Sequence, residues 1–219
     1  MIKTVIFDMD GVLVNSEPLH HHVCQIQFKN LNIDVSDDLF ATFTGSSNKM
    51  IYQKLKNIFD IETSAEELIA EKNRLFIEAF RIDTAHQLIN GVKDLIIELH
   101  EKGMQLIVAS SSEMEIINAI FERFDLNQYF SSKVSGADFP ESKPNPAIFL
   151  KAVELSGHDK SECIIIEDST NGIKAAKSAG VYCIAYKGAD VDSQNQSLAG
   201  EIIYDYQDLS FDKIRKINS

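Results

Sequence analysis

The sequence lacks any long hydrophobic run. It has 219 residues, and no apolar stretch approaches the roughly 20 residues that a membrane-spanning helix needs. The N-terminal segment 1–14 is rich in apolar residues, but Asp8 and Asp10 interrupt it, and the apolar core of a secretory signal would not contain them. These features predict a cytoplasmic protein with no membrane partner.

Cysteine is scarce as well. The three cysteines, Cys24, Cys163 and Cys183, are odd in number, widely spaced and not arranged as a CxxC pair. This pattern argues against a disulfide framework and against a zinc site. We expect free, buried thiols instead.

Positive charge is the third shortage, and it limits the partners. Lysine and arginine number 21 against 33 aspartates and glutamates, which gives a formal net charge of −12. Such a surface repels the phosphates of nucleic acids, so no nucleic-acid partner is expected. A phosphorylated substrate would need local positive charge from a metal ion and one or two lysines. The absence of a heptad pattern or a long exposed apolar stripe favours a monomer over an obligate oligomer.

What the sequence does contain is an alternation of short aliphatic runs and longer helical patterns. The near-continuous apolar runs predict strands of a parallel sheet with both faces covered, at 3–8, 104–110, 162–168 and 181–186, with 201–206 as a further edge strand. Helical patterns with glycine stops follow Gly91 and Asp168. Strand, helix and strand at this spacing predict an α/β, doubly wound fold.

One stretch, residues 16–86, has helical patterns and no convincing strand. Ser16, Glu17 and Pro18 predict one helix start, with a cap residue and an early proline, and the segment 64–67 predicts another as a capping box. We therefore expect a core domain formed by 1–15 and 87–219, and a helical domain of residues 16–86 inserted after the first strand.

Polar residues suited to phosphate chemistry follow the strand ends, where ligands of open parallel sheets bind. They are Asp8 and Asp10 after the first strand, Ser110, Ser111 and Ser112 after the second, Lys143 further on, and Glu167 and Asp168 after the fourth. Aspartates so close together repel each other, and a Mg²⁺ ion, which prefers oxygen ligands, would offset the repulsion.

Four segments in this order resemble the motifs of the haloacid dehalogenase-like superfamily. They read DMDGVLVNSEPLH (8–20), VASSS (108–112), SKPNP (142–146) and IIIEDSTNGIKAAKSAG (164–180). The first motif alone would be weak, but the ordered set is specific and spans nearly the whole chain. Within the superfamily, the chain is similar to the branch that contains β-phosphoglucomutase and sugar-phosphate phosphatases.

The resemblance implies roles for the residues of the first motif. Asp8 resembles the nucleophile that attacks phosphorus, and Asp10 the general acid and base. Haloacid dehalogenases lack this second aspartate because a halide leaves without a proton, so Asp10 favours phosphate esters. Asp8, the backbone carbonyl of Asp10, Asp168 and Glu167 match the ligands of Mg²⁺.

The resemblance extends to phosphate and substrate contacts. Ser110, the N–H group of Ser111, and Lys143 match groups that hold the transferring phosphoryl oxygens. The inserted helical domain resembles a small cap that closes over the substrate. Within it, His20, Gly45 in the loop 44–46, Asn48 and Lys72 are candidate substrate contacts, as is Ser112 in the core. Lys72 lies on the apolar side of a helical stripe, where the alternative is a side chain that extends past its neighbours to solvent.

Two departures from the mutase pattern bear on the reaction. Asn48 stands where β-phosphoglucomutases have an arginine, with Lys49 next to it, and Glu113 stands where they have a lysine. Both changes weaken the binding of a second phosphate. They favour hydrolysis of a small phosphorylated metabolite, a hexose or polyol phosphate. A phosphomutase remains the alternative, supported by His20 and Lys72. A non-catalytic phospho-ligand module is a minor one, which Asp10 and the cap argue against.

Overall fold

The computed structural model describes residues 1–43, 47–83, 87–188 and 194–217. The chain divides into two compact units, one formed by Met1–Asn15 with Gln87–Ser219 and the other by Ser16–His86. Among the described residues, none of the helices combines the length and the apolar character needed to cross a bilayer.

The first unit is built on a six-stranded sheet in which all the pairings are parallel. The strand order is β3-β2-β1-β4-β5-β6. The strands are β1 (Thr4–Phe7), β2 (Gln105–Ser110), β3 (Ser132–Ser135), β4 (Cys163–Glu167), β5 (Tyr182–Tyr186) and β6 (Glu201–Ile203). The central strands β1 and β4 are buried at every residue, so both faces of the sheet are covered there. The α/β doubly wound class is confirmed.

The regular secondary structure in the described part of the second unit is helical. The helices are α1 (Glu17–Asn30), α2 (Asp37–Ala41), α3 (Asn48–Phe59) and α4 (Ala65–Ile82). The expected capping box at the start of α4 is present, because Ser64 and Glu67 exchange side-chain and backbone hydrogen bonds. Ser16 is the N-cap residue of α1 and a proline follows in the first turn, as predicted, although the Ser16 side chain makes no capping hydrogen bond.

The remaining helices belong to the first unit. They are α5 (Val92–Glu101), α6 (Met114–Arg123), α7 (Ala147–Ser156), α8 (Thr170–Ala179) and α9 (Phe211–Ile214). The starts predicted after Gly91 and Asp168 agree with α5 and α8. Helices α7 and α8 share a hydrophobic core with the strands. Cys163 and Cys183 are buried free thiols in that core, and Cys24 is a partly buried free thiol in α1.

Strand β3 was not predicted from the sequence. Its four residues, SKVS, contain a single apolar side chain, Val134, and therefore show no hydrophobic run. The strand lies at the edge of the sheet and pairs with β2 alone, from Ile107 opposite Ser132 to Ser110 opposite Ser135. An edge strand needs less apolar sequence than a central one because fewer neighbours cover it. At the other edge, β6 ends at Ile203, before the predicted limit of residue 206.

Candidate active site

The carboxyl ends of the neighbouring strands β1 and β4 bring three acidic side chains together. Asp8 directly follows β1, Glu167 is the last residue of β4, and Asp168 comes next. One carboxylate oxygen from each of these residues lies within 4.8 Å of the others. Asp8 is at least 159 positions from Glu167 and Asp168 in the sequence. The three residues nevertheless form one cluster, because β1 and β4 are parallel neighbours and end at the same edge of the sheet.

Lys143 lies inside this cluster. Its Nζ donates to Asp8 Oδ1 at 2.6 Å and to Glu167 Oε1 at 2.8 Å. The side chain is buried, and Nζ lies 4.8 Å from the centre of the Phe149 ring. A buried lysine between two carboxylates is a fixed positive charge at the position where the sequence predicts a phosphoryl group to be held.

The electrostatics of the cluster show an excess of negative charge. Burial, with smaller contributions from Glu167 and Asp10 and opposed by Lys143, raises the pKa of Asp8 to about 8. Burial and the neighbouring charges of Glu167 and Asp8 raise the pKa of Asp168 to about 9. The pKa of Lys143 is also raised, since the attraction of Asp8 and Glu167 outweighs its burial. One lysine therefore does not balance the carboxylates around it.

The donor set fits a hard divalent cation such as Mg²⁺. Asp8, Glu167 and Asp168 offer only oxygen atoms, close enough to share an ion. A divalent cation would supply the positive charge that Lys143 alone does not, and would lower the pKa values of the ligating carboxyl groups. The residues present thus fit the predicted metal.

The raised pKa values predict how the stability of the metal-free protein depends on pH. The pKa values of Asp8 and Asp168 are raised to about 8 and about 9 in the folded state, against about 3.9 for an unfolded aspartate. Between the pKa of the unfolded aspartate and the raised pKa values of the folded state, the folded protein holds protons that the unfolded chain has released. The free energy of unfolding therefore falls as pH rises through this range. We expect the free energy of unfolding in EDTA to decrease between pH 5 and pH 9, as measured by urea denaturation.

Added Mg²⁺ is expected to stabilise the protein more at pH 9 than at pH 5, because the ionised carboxylates bind it. Asp8→Asn serves as the control, since it removes one of the two titrating groups and should flatten the decrease. A stability in EDTA that rises from pH 5 to pH 9 would contradict this account of the cluster.

Asp10 is held by serine hydroxyl groups from the end of β2. Ser110 Oγ and Ser112 Oγ donate to Asp10 Oδ2 at 3.3 and 3.0 Å, and the N–H group of Ser112 donates to Ser110 Oγ at 3.0 Å. Ser112, a candidate substrate contact in the sequence, is therefore a hydrogen-bond partner of Asp10 in the structure. Ser111, between them, is exposed. The arrangement fixes one oxygen of the predicted acid and base.

Gly11 passes directly against Asp168. Its φ is +77°, in the left-handed region, and a Cβ atom at this position would lie 2.3 Å from Asp168 Oδ2. The glycine therefore lets the loop after β1 and the end of β4 approach closely. This contact explains the need for glycine in the segment Asp8–Gly11.

Gly11→Ala is expected to displace Asp168 and to reduce Mg²⁺-dependent turnover of p-nitrophenyl phosphate at least about tenfold, since ligand displacement of this kind impairs metal sites. Gly103→Ala is the matched control. Gly103 has a similar φ of +81°, but no atom lies within 4 Å of its added Cβ. Both variants carry backbone strain, so a loss of turnover of equal size in both would show that strain, and not the contact with Asp168, is responsible.

Sequence reasoning missed the residues that hold Glu167. Its Oε2 accepts hydrogen bonds from the N–H and hydroxyl groups of Ser169, at 2.6 and 3.0 Å. Ser169 Oγ also accepts from the N–H group of Gly172 and caps α8, and a Cβ on Gly172 would lie 1.6 Å from Glu167 Oε1. The available signal was Gly172 in the first turn of the helix that follows Glu167 and Asp168, because a glycine inside a helix usually has a packing reason.

The end of β3 contacts the segment Ser110–Ser112 in a way that the sequence did not reveal. Ser135 Oγ donates to the backbone carbonyl of Ser112 at 2.8 Å. A Cβ on Gly136 would lie 2.9 Å from the Cα of Ser111. These contacts were missed because β3 itself was missed.

Three candidate residues of the second unit, His20, Asn48 and Lys72, lie on α1, α3 and α4. The His20 ring stacks on Phe76, with centroids 4.3 Å apart. Lys72 is 6% exposed and its Nζ donates to Asn48 Oδ1 at 3.0 Å, so its side chain does not extend to solvent. Gly45 and its loop 44–46 lie outside the described residues.

Comparison with known proteins places the chain in a family. The family model for haloacid dehalogenase-like hydrolases matches residues 5–186. The chain therefore belongs to the haloacid dehalogenase-like hydrolase family. It is 29% identical over 184 residues to the "Phosphorylated carbohydrates phosphatase" of Thermotoga maritima, covering 82% of each sequence. It is also 30% identical over 188 residues to the Arabidopsis thaliana "Protein SUPPRESSOR OF QUENCHING 1, chloroplastic", but spans 18% of the length of that protein.

Solved structures share the fold over nearly the full length. CbbY from Rhodobacter sphaeroides in complex with phosphate superposes with a TM-score of 0.87 at 24% identity, covering 94% of this chain and 95% of CbbY. A β-phosphoglucomutase from Clostridium difficile superposes with a TM-score of 0.84 at 21% identity, covering 99% of this chain and 96% of the mutase. At these identities the similarity establishes the fold alone.

Proposed function

We propose that the protein is a Mg²⁺-dependent phosphatase that hydrolyses small phosphate monoesters of sugars or polyols through a phosphoaspartate at Asp8. The observation that carries the proposal is the cluster of Asp8, Lys143, Glu167 and Asp168, with Asp10 held beside it by serine hydroxyl groups. The phosphatase of T. maritima, whose name specifies phosphorylated carbohydrates, supports the substrate class.

The first half of the reaction transfers the phosphoryl group to Asp8. A carboxylate oxygen of Asp8 forms a bond to phosphorus, the ester P–O bond breaks, and the leaving oxygen keeps the electron pair and takes a proton from Asp10. Lys143 and the N–H group of Ser111 hold the phosphoryl oxygens, where negative charge is greatest in the transition state, and the hydroxyl group of Ser110 joins them by turning from Asp10 when substrate binds. When bound, Mg²⁺ supplies the charge that keeps Asp8 ionised at neutral pH.

The second half returns the enzyme to its starting state. Asp10, now a carboxylate, takes a proton from water, whose oxygen attacks the phosphorus of the phosphoaspartate. The bond between phosphorus and Asp8 breaks, inorganic phosphate leaves, and Asp10 is again protonated. The hydrogen bond from Ser112 Oγ to Asp10 Oδ2 keeps this carboxyl group in place for both transfers.

The domain roles form part of the proposal. Residues 1–15 and 87–219 would be the catalytic core, and 16–86 the cap that selects the substrate. Lys72 is buried and paired with Asn48, which supports a cap that binds a polar substrate. A buried ammonium group requires a partner, and an anionic or hydroxylated ligand can be one. The cytoplasmic location and the monomeric state stay predictions.

A phosphomutase of the β-phosphoglucomutase type is the second candidate. The burial of Lys72 favours it, together with the match of Lys72 and His20 to that family, whereas Asn48 in place of the arginine of that family does not. Glu113 opposes it, since an acidic residue at the start of α6 would repel a second phosphate group.

A screen of phosphorylated metabolites distinguishes the two reactions when phosphate release and isomerisation are both measured. We expect Mg²⁺-dependent release of phosphate from hexose or polyol phosphates, and loss of release in EDTA. Glucose 6-phosphate formed from β-glucose 1-phosphate with little free phosphate would reverse the preference in favour of the mutase.

A further inference from the structure

The segment Gln194–Gln196, which follows β5, is fastened to the end of β4 and the start of α8 by three hydrogen bonds. Gln196 Nε2 donates to the backbone carbonyl of Asp168 at 2.7 Å. The N–H group of Thr170 donates to Gln194 Oε1 at 2.8 Å, and the N–H group of Asn195 donates to Thr170 Oγ1 at 2.7 Å. The predicted metal ligand Asp168 is thus held from outside its own strand and helix.

Gln196 is the buried member of this segment. It is 5% exposed, and its Nε2 also donates to the carbonyl of Tyr186, the last residue of β5, at 2.9 Å. Among the residues that the structure describes, its Oε1 has no hydrogen-bond partner. An unpartnered buried oxygen destabilises the fold, and an apolar side chain would avoid this cost. The contribution of the amide therefore lies in its two donated bonds, which connect Asp168 to the end of β5.

Asp168 needs such an attachment because its surroundings repel its charge. Its carboxylate lies close to those of Asp8 and Glu167, and like charges so placed repel one another. Asp168 comes after the last residue of β4, so it lies outside the ladder of hydrogen bonds that holds the strand. The hydrogen bond from Gln196 to the backbone carbonyl of Asp168 limits the rotation of that peptide group, and with it the direction in which the side chain leaves the backbone.

We propose that Gln196 is a positioning residue of the metal site, which holds Asp168 in the orientation that binds a divalent cation, with Thr170 fastening the same segment. The inference rests on the proposed function, in which Asp168 is a ligand of Mg²⁺. Partners of metal ligands set the direction of the ligand and thereby the affinity for the metal. Gln196 touches neither the metal nor the substrate in this role.

The decisive experiment measures the dissociation constant of Mg²⁺ directly, by titration calorimetry on the full chain. Gln196→Met keeps the size of the side chain and removes both donated bonds. We expect its dissociation constant to rise about 10- to 100-fold over the wild type. At saturating Mg²⁺, the kcat for p-nitrophenyl phosphate should recover to near the wild-type value, because the catalytic residues are unchanged.

Thr4→Val is the control for general destabilisation. Thr4 is fully buried in β1, its Oγ1 lies 2.8 Å from His158 Nδ1, and valine has the same shape without the hydroxyl group. We expect it to lower the melting temperature and to leave the affinity for Mg²⁺ unchanged. An equal loss of affinity in Thr4→Val and Gln196→Met would overturn the proposal.

A second pair of variants tests the positioning role of the segment Gln194–Gln196 if Gln196→Met does not fold. Thr170→Ala removes the acceptor of the Asn195 bond and should weaken Mg²⁺ binding, whereas Thr170→Ser keeps the hydroxyl group and should restore it. Wild-type affinity in both Gln196→Met and Thr170→Ala, or in Thr170→Ala alone if the former is unfolded, would overturn the inference and leave the proposed function standing. Failure of the wild type to bind Mg²⁺ would overturn both.

Discussion

Asp8→Asn is expected to lower the turnover of p-nitrophenyl phosphate by at least about 10³-fold, because an amide cannot act as the nucleophile in place of a carboxylate. The variant should remain folded, since Lys143 keeps its ion pair with Glu167 at 2.8 Å. It also loses a carboxylate whose ionised form is unfavourable in the metal-free protein, as the pKa of about 8 shows. Initial rates at saturating Mg²⁺, together with a thermal melt of the same sample, measure the effect.

The control for Asp8→Asn is the same substitution at an exposed position. Asp60, in the second unit, has a φ of +52°, a conformation that asparagine also accepts readily. Asp60→Asn should therefore keep both turnover and stability. In the wild type, acid quenching during turnover should trap a phosphorylated chain, and peptide mass spectrometry should assign the phosphate to Asp8. Turnover of Asp8→Asn at the wild-type rate would eliminate Asp8 as the nucleophile.

Asp10→Asn is expected to separate the two halves of the reaction. Loss of a general acid lowers the rate by about 10²- to 10⁴-fold when the leaving group is an alkoxide. p-Nitrophenolate leaves without a proton, so transfer of its phosphoryl group to Asp8 should be affected less. Hydrolysis of the phosphoaspartate still needs Asp10 as the base. The variant should therefore release one burst of p-nitrophenol and then accumulate as the phosphorylated protein.

Rapid-quench kinetics and intact-protein mass spectrometry measure the burst and the accumulated species. Ser112→Ala is the comparison, because it keeps the Asp10 carboxylate and removes one of the hydroxyl groups that hold it. We expect a smaller loss in Ser112→Ala and no accumulation. Equal losses of Asp10→Asn on a sugar phosphate and on p-nitrophenyl phosphate, without a burst, would argue that Asp10 is not the acid.

The convergence of Asp8, Glu167 and Asp168 could be predicted without coordinates. Each follows an apolar run, and the ends of neighbouring parallel strands must lie at the same edge of a sheet. The chemistry followed from the residue types, since carboxylates that close together need a cation. Local sequence was also sufficient for the capping box at Ser64, which depends on residues three positions apart.

Contacts between distant segments were not predictable in the same way. The bond of Gln196 to the carbonyl of Asp168 joins residues 28 positions apart, and nothing in the pattern around Gln196 distinguishes it from a loop residue. The same holds for the support that Ser135 gives to Ser112. Both depend on side-chain directions that exist only after the strands have paired.

The sequence by itself determined the class of fold, the order of the acidic and basic groups along the chain and the type of reaction that they suit. These follow from hydrophobic periodicity and from the chemistry of individual side chains, which are local properties. Only the tertiary structure decided that Lys143 lies between Asp8 and Glu167, that Ser112 holds Asp10 and that Gly11 must be without a side chain beside Asp168. Those features are distances of a few ångströms between separate segments, and they are set only when the packed tertiary structure brings those segments together.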